Sequence, residues 1–160
     1  METSSLSFNN GIKKLLLRDY AGAVTDFTRS IEEEPNNIAT YNNRGFAKNK
    51  LNDTTDEIAD YSKAIEIDPE DETALFNRGI SKVRLRDYPG AITDLNRVIE
   101  ISPQNSKAYY YRAISRDNTK IDTYDQQAMA VADILKALEI NPDLQIPFIN
   151  SDPERDWIHY

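Results

Sequence analysis

Cysteine is absent from the 160-residue chain, and histidine occurs once, at His159. The first absence excludes disulfides, thiolate metal sites and cysteine nucleophiles. The second leaves no way to assemble a histidine-based triad or a facial metal site. Glycine is scarce, at five residues, and no two are close enough to form a phosphate-cradling loop. No apolar run approaches the roughly 20 residues that span a bilayer, and Leu15-Leu16-Leu17 is far too short for a signal core. The opening Met1-Glu2-Thr3-Ser4-Ser5 carries no basic leader, so a cytoplasmic location is expected. Positive charge is in deficit: 19 basic against 27 acidic residues give a net charge of −8, which disfavours nucleic acid and anionic membranes as partners. Carboxylates are expected on solvated helix faces by composition alone, so neither catalysis nor a cofactor is expected.

What is present is a folded domain's balance, 39% hydrophobic and 29% charged, in a chain long enough to bury a core. The pattern within it is periodic. Prolines recur at an equal interval at Pro35, Pro69 and Pro103, and then at Pro142 after a longer one. Glycines keep the same beat at Gly11, Gly45 and Gly79, with Ala113 in the fourth place. Asp19, Asp53 and Asp87 form a third ladder, and Asp26, Asp60 and Asp94 a fourth. Each unit carries two amphipathic stretches at three-to-four spacing. In the third unit Leu75, Arg78, Gly79, Lys82 and Leu85 mark a first helix. Asp87 is then the expected N-cap, with Pro89 in the first turn, and Ala91, Ile92, Leu95, Val98 and Ile99 form the buried stripe of a second helix. Proline disfavours helical geometry in the residue before it, so Pro103 ends the unit.

These residues resemble the tetratricopeptide repeat, in which an aromatic, Gly, Ala, an aromatic, another small residue and Pro are spread over 34 positions. The second repeat supplies Tyr41, Gly45, Tyr61, Ala64 and Pro69; the third Gly79, Ala91, Leu95 and Pro103; the first Gly11, Ala23, Phe27 and Pro35. The resemblance implies an all-α fold, a right-handed superhelical solenoid of four helix-turn-helix hairpins at about residues 4–37, 38–71, 72–105 and 106–144. Residues 145–160 are expected to cap it or trail from it, with Ile146, Phe148, Trp157 and Ile158 covering the last hairpin and Ser151 or Asp152 ahead of Pro153 and Glu154 starting a helix. Ser7 and Leu75 depart from the first aromatic. Glu57 stands where a small alanine belongs, so the second repeat is expected to be the most irregular. Five extra residues near 117–124 predict a long loop between the fourth pair of helices.

In the family the first helix of each hairpin lines a concave groove that faces bound peptide. The sixth residues of the repeats are Asn9, Asn43, Asn77 and Tyr111. An asparagine amide offers an acceptor and two donors, matching an extended peptide backbone, and asparagine is not chosen for helicity. The alternative is that Asn only tolerates a half-exposed, hydrated face. Beside them lie Phe8, Asn42, Phe76 and Tyr110 at the fifth position, of which Phe76 and Tyr110 are candidate anchors. The ninth residues, Ile12, Phe46, Ile80 and Ile114, suit packing between repeats better than ligand contact. The candidate peptide-binding set is Asn9, Asn42, Asn43, Phe76, Asn77, Lys107, Tyr110 and Tyr111.

Arg44, Arg78 and Arg112 follow Asp26, Asp60 and Asp94 at one constant offset, from each second helix into the next repeat, which predicts bridges between successive repeats. Lys13, Lys14, Arg18, Lys48, Lys50, Lys82, Arg84, Arg86, Arg116 and Lys120 gather near the ends of first helices, where the helix dipole favours them as a solvated rim. The function implied is an adaptor that binds an extended segment of a protein partner. The alternatives are self-assembly into a homo-oligomer, through the Trp157 tail or a groove, and chaperone docking by a carboxylate clamp. For the clamp, Asn42, Phe46, Asn77, Lys107 and Tyr111 match the expected residues at only two of five places, and a frame one repeat earlier matches at one.

Overall fold

A computed structural model describes residues 5–119 and 124–146, and among these residues all regular structure is helical. The order is α1 (Leu6–Leu16), α2 (Tyr20–Glu33), α3 (Ile38–Lys50), α4 (Thr54–Ile67), α5 (Glu72–Arg84), α6 (Tyr88–Ile101), α7 (Ser106–Asp117) and α8 (Tyr124–Ile140). They fall into two compact units, Met1–Asp87 with α1 to α5 and Tyr88–Tyr160 with α6 to α8. Within the first unit each helix packs on the next, and α1 also touches α3. The first helices of the first two hairpins are therefore neighbours. In the second unit α6 packs on α7 and α7 on α8.

The hairpin turns are built the same way three times. The backbone turns left-handed at Arg18, Asn52 and Arg86, with φ of 59°, 61° and 61°. The amide after each reaches back to close the preceding helix: Asp19 to the Lys14 carbonyl at 2.9 Å, Asp53 to Lys48 at 3.0 Å, Asp87 to Lys82 at 2.9 Å. That is the Schellman closure, normally served by glycine. The first two of these aspartates then open the second helix. Asp19 accepts from the Gly22 amide at 2.9 Å, and Asp53 from that of Asp56 at 3.4 Å. One residue ends a helix and the next begins another. First helices are capped by Ser5, Asn37, Asp71 and Asn105, each side chain accepting an amide three residues on.

Glycine marks where paired helices come closest. A methyl group on Gly11 would stand 2.5 Å from the Phe27 ring, and one on Gly45 2.8 Å from Tyr61. Phe27 and Tyr61 are buried, and burial, followed by the charge of Glu57, pushes the Tyr61 phenol above its ordinary pKa. The Tyr41 hydroxyl donates to the Pro35 carbonyl at 3.0 Å, tying the second hairpin to the end of the first.

The expected irregularity at Glu57 does not break a helix, for α4 runs unbroken through it. Glu57 is fully buried and its Oε1 accepts hydrogen bonds from Ser81 Oγ and from Arg84 Nη2, the latter at 2.8 Å. A charge that cannot reach water is held by partners on the next helix. The five extra residues of the fourth repeat are not all loop. α7 ends one position early, and residues 120–123, where most of the long loop is expected, lie outside the described residues. Three of the extra residues lengthen α8, which has 17 residues where α2, α4 and α6 have 14. Extending a helix satisfies backbone groups that a loop would leave to solvent. Phe148, Ser151 to Glu154, Trp157 and Ile158 of the expected cap lie outside the described residues, whereas Ile146 is inside them and buried.

Candidate functional site: the first-helix faces

In the Met1–Asp87 unit, α1, α3 and α5 carry Asn9, Asn43 and Asn77 at the same register. Asn9 is exposed; Asn43 and Asn77 are half-buried. The Asn43 amide nitrogen donates to the Ala39 carbonyl one turn back, at 2.8 Å. One of its two hydrogens is so used, which leaves the second and the oxygen's lone pairs for a ligand. Half-buried Phe76 lies beside Asn77. Phe46 is 41% exposed, with the Lys50 ammonium 5.0 Å from its ring centre. Ile12 packs against the buried cluster of Ala23, Phe27 and Ala47. Phe8 does the same, its ring 5.9 Å from that of Phe27.

Asn42 is placed differently from the other candidates. Its amide nitrogen lies 3.1 Å from both carboxylate oxygens of Asp71. Asp71 in turn caps α5 through the Ala74 amide at 2.6 Å. Asn42 thus fastens α3 to the start of the next hairpin through its amide nitrogen, while its Oδ1 is buried with no hydrogen-bond partner among the described residues.

In the Tyr88–Tyr160 unit α7 carries the other three candidates. Lys107 is exposed, and Tyr110 and Tyr111 meet edge to face with ring centres 5.3 Å apart. Burial, then the neighbouring Tyr111, raises the Tyr110 phenol above its ordinary pKa, so it is a neutral donor at physiological pH.

The arginine ladder is present, but the bridges of Arg44 and Arg112 run within hairpins. Arg44 grips Asp60 through Nε at 3.0 Å and Nη2 at 2.5 Å, and stacks 5.8 Å over Tyr41. Asp60 follows Arg44 in the chain, whereas the expected partner, Asp26, precedes it. Backward, Arg44 donates only to the Thr28 hydroxyl, at 3.1 Å, just past Asp26 on α2. Arg112 repeats this, with Asp133 Oδ2 at 2.8 Å ahead, Asn96 at 2.7 Å behind, and Tyr109 beneath at 5.3 Å. Arg78 reaches back to the Ser62 hydroxyl at 3.1 Å. The expected pairings are therefore corrected. Asp26 pairs with Lys14 at 2.8 Å instead of Arg44, Asp60 with Arg44 instead of Arg78, and Arg112 with Asp133 instead of Asp94. The physical reason is that the Arg44 and Arg112 guanidinium groups find their acids across their own hairpins, where the paired helices are closest. In the first repeat Asn10 replaces arginine, and Lys14 takes over.

Sequence reasoning missed a second cation on Asp60 and on Asp133. Lys48 joins Arg44 on Asp60 at 2.9 Å, and Arg116 joins Arg112 on Asp133 at 2.6 Å. The signal was there: Lys14, Lys48, Lys82 and Arg116 share one register of successive repeats. The helix dipole accounts for such cations only as a solvated rim, and Arg84, bound to Glu57, is no simple rim residue either. Losing one partner of such a largely buried pair is costly, because the other charge is left uncompensated. Among the described residues no group of three or more His, Asp or Glu side chains is placed to hold a metal ion, and no helix is long and apolar enough to cross a membrane.

Antiparallel helix pairs that repeat one capped turn and one glycine–aromatic contact define a helical-repeat protein. Residues 38–71 and 73–105 each match a model of the tetratricopeptide repeat. Those two stretches are tetratricopeptide repeats. Among solved structures it is similar to MamA (23% identity, TM-score 0.76, covering 82% of this chain and 74% of that one). It is also similar to YrrB, described as a repeat protein with an unusual peptide-binding site (19%, 0.75, 86% and 68%). A third is the first such domain of Spaghetti (RPAP3), bound to the HSP90 peptide SRMEEVD (23%, 0.65, 69% and 89%). No curated protein matches the sequence.

Proposed function

We propose that this chain is a protein-interaction module whose α1, α3 and α5 faces bind an extended segment of a partner protein. The observation that carries the reading is the set Asn9, Asn43 and Asn77, one repeat apart on helices of one unit, with the Asn43 oxygen uncommitted. Amides at that spacing pair with peptide backbone whatever its side chains, and Phe76 beside them supplies an apolar anchor. Three net hydrogen bonds contribute ~1.5–4.5 kcal/mol, short of the roughly 8 kcal/mol of micromolar binding. Such an anchor is therefore required. Lys107, Tyr110 and Tyr111 on α7 are the matching set in the other unit. Asn42 is a weaker member of the set, because Asp71 already engages its amide nitrogen. The peptide-bound neighbour and the neighbour named for its peptide-binding site support this class of function.

The test is a pull-down from source cells with wild type and the Asn43→Ala/Asn77→Ala variant, followed by titration of the recovered partner. Binding should weaken by about 1–3 kcal/mol while melting stays unchanged, since alanine is the better helix former. Equal binding by the variant would remove the asparagines from the site. A dimeric mass by light scattering would instead favour self-assembly, for which the candidate surface is α8, where Met129, Val131 and Leu135 are exposed.

A further inference from the structure

We propose that the turn edge of the Met1–Asp87 unit is a second docking surface, one that takes an acidic, leucine-bearing peptide segment in extended form. Leu17, Leu51 and Leu85 are the C-caps of α1, α3 and α5, and are 79%, 47% and 53% exposed; Leu16 beside the first is 81% exposed. Four large apolar side chains left so exposed on the tips of successive hairpins gain little from folding, because most of their surface stays in water.

Two of these leucines are followed by arginines whose backbone is left-handed, Arg18 and Arg86. Glycine would occupy that conformation at no steric cost, whereas an ordinary L-residue there is disfavoured. Both arginines are exposed, and neither guanidinium has a side-chain partner among the described residues; the Lys13 ammonium has none either. Nearby cations are already committed: Lys14 to Asp26, Lys48 to Asp60, Arg84 to Glu57. The edge thus presents cations without a structural role, on a chain whose net charge is −8.

Leucines at all three turns, with cations at the first and third, select an occupant that carries apolar groups turn by turn and anionic groups between them. Packed hairpins are about 10 Å apart, the length of three extended residues, so a Leu-Glu-Glu triplet steps from one turn to the next. A flat anionic membrane fits less well. Asp19, Asp53 and Asp87 are exposed and directly follow the left-handed residues at every turn. A plane would press on this acidic row, while a linear segment can lie on the leucine row and avoid it.

The experiment is fluorescence anisotropy with a labelled peptide of repeated Leu-Glu-Glu triplets, roughly 12 residues long so as to span three turns. The informative variant is Arg18→Gly/Arg86→Gly, which removes the cations and relieves the backbone, so lost binding cannot be blamed on unfolding. It should melt at or above the wild-type temperature and bind about fivefold more weakly, the combined worth of two exposed ion pairs. Leu17→Ser/Leu85→Ser should weaken binding comparably, and Asn43→Ala/Asn77→Ala should leave it intact. No binding by wild type, equal binding by the glycine variant, or loss through the asparagine variant would each overturn the proposal. So would binding to phosphatidylserine vesicles in place of the peptide. The asparagine variant separates this failure from failure of the first-helix reading.

Discussion

The two hairpin-to-hairpin contacts of the Met1–Asp87 unit are built from the same registers with their polarity reversed. Between the first and second hairpins Ala23 clusters with Ala47, while at the other end of the contact Ser30 and Thr40 meet as hydroxyls, 3.3 Å apart. Between the second and third the apolar end is now Ala64 with Ala74, and the polar end is Glu57 with Ser81. Every one of those eight side chains is buried. A small residue at a given register is therefore not a requirement of the fold. What the fold requires is agreement between the two sides, and a polar side chain is accepted wherever its partner is polar too. Had the second hairpin met the wrong neighbour, Glu57 would face Ala47 with no donor.

The largest expected effect probes the harsher of the two polar ends. Arg84→Ala leaves Glu57 buried with one hydroxyl donor and should cost about 3 kcal/mol, read from urea unfolding. Glu57→Ala removes the same ion pair but should cost less, because Arg84 is 37% exposed and can turn to water. Equal costs would mean that the pair, not the stranded carboxylate, sets the penalty.

Next in size are the closest approaches within each hairpin. Gly11→Ala and Gly45→Ala both drive a methyl into a buried ring, an overpacking worth roughly 1–3 kcal/mol, partly offset by ~1 kcal/mol of helix propensity. The first should be the more damaging, since its ring is nearer, 2.5 against 2.8 Å. Thermal melts of the two variants decide it, and the reverse order would show that Phe27 yields more easily than Tyr61.

Smallest is the coupling that distinguishes the two aspartates flanking Arg44. A double-mutant cycle of Arg44 with Asp60 should give about 1 kcal/mol or more, while the cycle with Asp26 should give about zero. A substantial Asp26 term would restore the bridge between repeats that the spacing had suggested.

That third case shows where sequence reading stopped. The repeating ladders located the glycine contacts of Gly11 and Gly45 and the aspartate caps at Asp19 and Asp53, because each is a local matter of helix period and turn chemistry. Direction was not legible. Arg44 has one aspartate behind it and another ahead at nearly equal separation, and only the packing of α3 on α4 decides between them. Glu57 read as an irregularity because its partners, Ser81 and Arg84, lie on the next repeat. The left-handed turns were hidden for a different reason: arginine and asparagine stand where glycine would have announced them. Among the binding candidates, register placed the asparagines on successive first helices, but it did not reveal that Asn42 was already occupied by a capping aspartate.

Arg44 holds an acid on its own hairpin with one edge of its guanidinium and a hydroxyl on the previous hairpin with another. Arg112 does the same with Asp133 and Asn96, although the inserted residues have moved its acid further along the chain. Such a side chain is fully satisfied only when two events have both happened, closure of its hairpin and docking onto the one before. In folding, this turns neighbours into a zipper: each completed pair of helices lowers the barrier for the next, and a repeat that closes alone lacks one of its bonds. Closure of a hairpin and its docking on the one before are thereby linked through one side chain.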